Sequence, residues 1–139
     1  MFVLDTNVVS EMRKIKAGKA NPGVTQWAST VSAAQMFLSS ITIHELEHGV
    51  LLVERTDPEQ GSLLRRWLDE SVTAAFDQRI LAVDESVARA SAGFHVPDPA
   101  PFRDALIGAT AVVNDMAVVT RNIGDFERFD GLEVLNPWS

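Results

Sequence analysis

Four carboxylates stand where chain segments change direction: Asp5, Glu45, Asp104 and Asp125. Asp5 ends the apolar run Phe2-Val3-Leu4 and is followed by Thr6 and Asn7, so three oxygen-bearing side chains crowd one strand exit. Glu45 falls in the first turn of the helix expected after a second apolar run. Asp104 opens a nearly all-apolar helix, and Asp125 follows a further run, in Thr120-Arg121-Asn122-Ile123-Gly124-Asp125. Acids brought together raise one another's pKa, and a divalent cation relieves that repulsion. Hard oxygen donors suit Mg²⁺ or Mn²⁺. Such an ion acidifies water and neutralises charge on a phosphoryl oxygen, which points to metal-assisted hydrolysis. The plainer reading of Asp5 or Thr6 is a helix cap, and of Asp104 a charge complementing a helix dipole.

The elements that would position these acids follow from hydrophobic periodicity. Strands are expected at 2–4, 36–39, 80–83, 117–120 and 132–135. Helices are expected over 8–16, over 24–32, from a Thr42 cap with Glu45 completing a capping box to about Arg55, and from Asp57-Pro58 through Ala75. Two more follow, one capped by Asp84 and one beginning near Pro101 with the body Ala105 to Val113. This alternation predicts an α/β fold: a single domain over 1–139, with a central parallel sheet of about five strands covered by helices on both faces. In such a sheet, strand exits and the starts of the following helices share one edge, so the four acids can meet there. Gly108 and Ala111 lie on the Asp104 face of its helix, which lets that helix approach closely.

His44-Glu45-Leu46-Glu47-His48 matches the H-E-x-x-H pattern of zinc proteases. Its histidines are one helical turn apart, but no third ligand follows at the required distance, and the match leaves Asp5, Asp104 and Asp125 unused. A phosphotransfer site with Asp5 as nucleophile lacks both a second acid two residues on and a Gly-rich phosphate loop.

The net charge of −7 argues against a protein that merely coats nucleic acid. All the lysines (Lys14, Lys16 and Lys19) fall with Arg13 in one short segment. That segment reads either as a solvated loop or as a basic rim, with Arg13, Lys14 and Lys16 guiding a phosphate backbone. The absence of cysteine excludes disulfides and thiol chemistry. With no leader pattern and no membrane-length apolar run, a cytoplasmic protein is expected.

The pieces Leu4-Asp5-Thr6-Asn7, Ser39-x5-Glu45-Leu46-x2-Gly49, Asp104-Ala105-Leu106-Ile107-x-Ala109-Thr110-Ala111 and Val119-Thr120-Arg121-Asn122-x2-Asp125-Phe126 occur in this order over nearly the whole chain. Together with the tail Asn136-Pro137-Trp138, they make the chain resemble PIN-domain ribonucleases, in particular the toxins of VapBC and FitAB toxin–antitoxin systems. The resemblance implies an endoribonuclease dependent on Mg²⁺ or Mn²⁺, with Asp5, Glu45 and Asp104 as metal-binding acids. It also implies that Thr6 and Asn7 line the pocket and that Thr120 lends a supporting hydroxyl. In some relatives an acid stands where this chain has Asn122, and in others at the Asp125 position. It implies partners too: an RNA substrate such as tRNA, a second copy of the chain, and an antitoxin of the VapB or FitA kind that inserts a basic side chain into the pocket. A binding module with an inactive site is the alternative from another class.

Overall fold

A computed structural model describes residues 1–139. The chain begins with β1 (Phe2–Leu4), α1 (Thr6–Met12) and α2 (Pro22–Thr30), and a short 3-10 turn (Ala33–Gln35) leads into β2 (Met36–Ser39). Then come α3 (Ser40–Thr56), α4 (Pro58–Arg66), a π-helical stretch (Trp67–Val72) and its last turn α5 (Thr73–Ala75). The second half holds β3 (Ile80–Leu81), α6 (Glu85–Gly93), α7 (Phe102–Val113), β4 (Ala117–Val119), a 3-10 turn (Ile123–Asp125) and β5 (Val134–Leu135).

The five strands form one sheet in the order β3-β2-β1-β4-β5, and every pair is parallel. Alternating side chains divide the core. Leu4, Leu38 and Val119 pack on one face with Val8 of α1, Leu46 and Val50 of α3, and Leu68 and Val72. Val3 and Val118 pack on the other with Ala105, Ile107 and Ala111 of α7, and with Phe126 and Phe129. Short strands buried on both sides by helices explain the continuous apolar runs. The α/β architecture expected from the sequence is therefore the observed one.

Chain order reverses between β1 and β4, on either side of which the connections diverge, and a crevice at such a switch point is where open α/β sheets hold ligands. Leu4 lies opposite Val119, which puts Asp5 beside Thr120 at the sheet edge. The Asp5 amide is bonded to the Val119 carbonyl at 2.9 Å.

Several expected boundaries move, each for a local reason. α1 starts at Thr6 and ends at Met12 rather than spanning 8–16, because Asp5 is itself the N-cap. α2 starts at Pro22, with the Asn21 side chain accepting from the Gly23 and Val24 amides, and ends at Thr30. Thr42 does not cap α3, and its capping box with Glu45 does not form. β2 runs into α3 without a loop, and Ser39 takes the cap through the Ile41 amide. Thr42 is thereby carried into the helix and fully buried, its hydroxyl without a partner, and Glu45 sits in the second turn instead of the first. The segment after Asp57 is continuous to Ala75 but switches to π geometry at Trp67. Asp57 and Asp84 cap their helices as expected. Pro101 is the cap of α7 and not its first residue. β3 and β5 are shorter than their apolar runs.

Gly108 sits where α7 meets the aromatic cluster. A Cβ there would lie 2.9 Å from Cδ2 of Phe129, a ring already stacked on Phe94 at 4.5 Å and edge-on to Phe126 at 6.0 Å. That ring has nowhere to go. Gly108→Ala is expected to cost roughly 2 kcal/mol in a urea melt, despite the better helix propensity of alanine.

Candidate active site

Asp5 is 7% exposed, and both its carboxylate oxygens are held. Oδ1 accepts from the Thr6 amide at 2.8 Å, and Oδ2 from the fully buried Thr120 hydroxyl at 2.7 Å. Asn7 Nδ2 approaches the same Oδ2 at 3.4 Å. Thr120 Oγ1 accepts in turn from the Asn122 amide at 3.0 Å. One hydroxyl thus links the exits of β1 and β4.

Glu45 reaches the same edge from α3. Its Oε1 accepts from the Thr6 hydroxyl at 3.0 Å, and its Oε2 lies 3.9 Å from the Arg103 guanidinium. Asp104 is half-buried in the first turn of α7 and forms no ion pair. Its carboxyl is pushed up to about 6, mainly by burial and then by the charges of Asp5, Asp125 and Glu45. Burial also raises Asp5, against the lowering effect of the Thr120 hydroxyl and the Thr6 amide, with Glu45 and Asp125 adding to the rise. Asp104 therefore feels the other three acids, and Asp5 feels Glu45 and Asp125. The topology has brought together four carboxylates separated by up to most of the chain.

The remaining expected residues divide. Thr6, Asn7 and Thr120 are all in the network. Asn122 contributes its backbone amide, and its side chain caps nothing. Asp125 is exposed in a 3-10 turn at the pocket margin. Arg13 lines a cleft of about 330 Å³ with Thr6, Glu45 and Trp67, its guanidinium over the Trp67 ring at 5.7 Å. Lys14 turns back to Glu11 at 3.1 Å, and Lys16 is exposed in the following turn. Arg103 was missed as a neighbour of Glu45. Its position directly before Asp104 was the only sequence signal, and nothing local ties it to α3.

The zinc-protease arrangement is not formed. His44 and His48 are exposed on α3 with ring centroids 6.4 Å apart, and no third side chain joins them in a group able to hold an ion. Both oxygens of the nearby Glu47 are taken by Arg65 at 2.7 Å.

The acid pocket itself is a set of hard oxygen donors with suppressed ionisation and no cation paired to Asp5 or Asp104. That fits a divalent ion. Asp5 and Asp104, the two acids with raised carboxyls and no cation partner, could hold it.

Thr120→Val tests the hydroxyl hub. It strips a donor from a buried carboxylate and an acceptor from the Asn122 amide, and is expected to cost about 2 kcal/mol of stability. Loss of an orienting partner of this kind lowers the affinity of a carboxylate site for a divalent ion by ~10–100-fold, read by calorimetric titration with Mn²⁺.

Comparison with known proteins gives the same picture. Residues 2–132 match the family model described as PIN domain. The toxin FitB of Neisseria gonorrhoeae is 35% identical over 144 residues, which cover 99% of either chain. Ribonuclease VapC14 of Mycobacterium tuberculosis is 47% identical over 75 residues, covering 54% of this chain and 70% of that one. The crystal structure of FitAcB from Neisseria gonorrhoeae aligns with a TM-score of 0.88 at 33% identity, covering 99% of each chain. With residues 2–132 matching the PIN-domain model and a relative 35% identical over 99% of either chain, this protein belongs to the PIN-domain family.

Proposed function

We propose that this protein is a metal-dependent endoribonuclease, the toxin of a toxin–antitoxin module of the FitAB or VapBC type. The observation that carries the reading is the meeting of Asp5, Glu45, Asp104 and Asp125 at the carboxyl edge of β1 and β4, with Asp5 and Asp104 shifted toward protonation. The names of its relatives, a ribonuclease and a toxin, support it.

When bound, Mg²⁺ or Mn²⁺ supplies acidified water and charge neutralisation at phosphorus. The chain's own part is to position. Thr120 and the Thr6 amide fix the Asp5 carboxylate, and the rigid start of α7 fixes Asp104. Glu45 is oriented by the Thr6 hydroxyl, and Glu45 and Asp125 complete the site directly or through water. Water adds to phosphorus in line with the leaving ribose oxygen. The P–O bond to that oxygen breaks, the water proton passes to an acid of the set, and the leaving oxygen is protonated by solvent. No residue is covalently modified.

The partners follow from the same reading: an RNA such as tRNA, a second toxin chain, and an antitoxin resembling FitA or VapB. Among relatives of known structure is FitAB bound to a DNA fragment. An antitoxin segment with a basic side chain suits the cleft beside Thr6 and Glu45. No helix is long and apolar enough to cross a membrane.

The test is cleavage of total RNA and a tRNA panel by purified protein, with Mg²⁺, Mn²⁺, Zn²⁺ or EDTA. Cuts are expected with Mg²⁺ or Mn²⁺ and not with EDTA. If folded, antitoxin-free protein leaves every RNA intact, the inactive binding module is the correct reading.

A further inference from the structure

The H-E-x-x-H histidines take no part in the acid site, yet they sit beside it. His44 and His48 share one exposed face of α3, and with Glu47, Leu51 and Arg103 they line a shallow depression of about 310 Å³. Arg103 joins this depression to the acids, since its guanidinium also reaches Glu45 at 3.9 Å.

Charge decides what the depression can hold. Glu47 is its one carboxylate, and Arg65 holds both oxygens in a bidentate pair. Arg65 also keeps Glu47 below its ordinary carboxylate range, so it stays ionised and committed. Arg103 remains half-exposed with a single distant carboxylate partner. Neither imidazole is engaged by a hydrogen-bond partner within the chain, and each offers at least one N–H whatever its protonation state. A cation here would meet the Arg103 guanidinium and no free acid. An anion would meet a guanidinium and two N–H donors.

We propose that His44, His48 and Arg103 form a subsite for a backbone phosphate of the RNA strand, flanking the phosphate held over the acids. This rests on the ribonuclease reading above. It gives a chain of net charge −7 a local means of holding a polyanion next to four carboxylates. The long, flexible Arg103 bridges the two: it faces Glu45 in the free protein and is free to swing to the phosphate when RNA arrives.

The experiment measures RNA affinity in the uncleaving Asp104→Asn protein, by anisotropy of a fluorescein-labelled single-stranded RNA of mixed sequence over a range of KCl concentrations. Changing His44→Gln, His48→Gln and Arg103→Gln together is expected to weaken binding and to flatten the slope of log affinity against log salt by about 0.7, the value of one phosphate on a single strand. Arg103→Lys should retain most of the slope. Arg89→Gln, an exposed change on α6, should leave it unaltered. An unchanged slope in the triple variant, with its circular dichroism intact, overturns the subsite. So does stoichiometric Zn²⁺ binding that disappears with the two histidines while the RNA slope stays. Wild-type protein that cuts no RNA, combined with the expected slope change, removes the nuclease reading and keeps the anion subsite.

Discussion

Asp5→Ala is expected to lower RNA cleavage by at least about 10³-fold while leaving the fold in place. Of the four acids, Asp5 is the most deeply set, and both its oxygens are oriented by donors that belong to the sheet edge, the Thr6 amide and the Thr120 hydroxyl. A ligand held this way reaches a metal without further ordering, so its loss removes a preorganised contact that water cannot replace. The fold survives because the groups left behind retain partners. Thr120 still accepts from the Asn122 amide and faces Asn7, and the Thr6 amide lies at a helix start open to water. Helix α1 loses its cap, at a cost of about 1 kcal/mol. Cleavage by purified, folded Asp5→Ala protein at more than a tenth of the wild-type rate is incompatible with the proposed mechanism.

Asp104→Asn is expected to abolish cleavage and at the same time make the metal-free protein more stable at neutral pH. A residue retained only for structure would do the opposite. The Asp104 carboxyl is raised from 3.8 to about 6 in the folded chain, by burial first and by Asp5, Asp125 and Glu45 after it. The folded state therefore binds this proton more tightly than the unfolded state does. The stability it contributes is complete below about pH 4 and is lost as the pH rises through about 6. Asp5 moves in the same direction. Asparagine removes the charge and its repulsion. Discounted for a side chain that is only half-buried, the gain is on the order of 1 kcal/mol, or ~3 °C in Tm. Thermal melts in EDTA between pH 4 and pH 7.5 should show the wild type losing more stability than the variant, which keeps only the contribution of Asp5. Added Mg²⁺ should then raise the wild-type Tm at pH 7 and leave the variant nearly unmoved, because binding to the folded state alone stabilises it.

These two acids were legible from sequence for a simple reason. Each lies at the junction of an apolar run with its neighbouring element, and parallel α/β chains place all such junctions on one edge. Hydrophobic periodicity also carried the five strands, the buried α7 and the caps at Asp57 and Asp84. Local periodicity was a poorer guide to junctions without loops. Ser39 and Thr42 are equally good caps in isolation, and Ser39 prevails because β2 stays paired with β3 up to that residue, Ser39 opposite Leu81. The π geometry at Trp67 likewise answers to packing of Leu68 and Val72 into the core, since both are buried there.

The amino-acid sequence by itself determined the class of fold and which acids lie at its strand exits and helix starts, because these depend on residue type and spacing along the chain. Tertiary structure alone decided which cations face those acids. Lys14 is spent on Glu11, Arg65 on Glu47 and Glu54, and Arg13 is laid over Trp67, while Arg103 is left beside Glu45. The partner a long, flexible charged side chain takes is set by whichever opposite charge or ring the fold brings within a few ångströms, and that distance is not written in any local stretch of sequence.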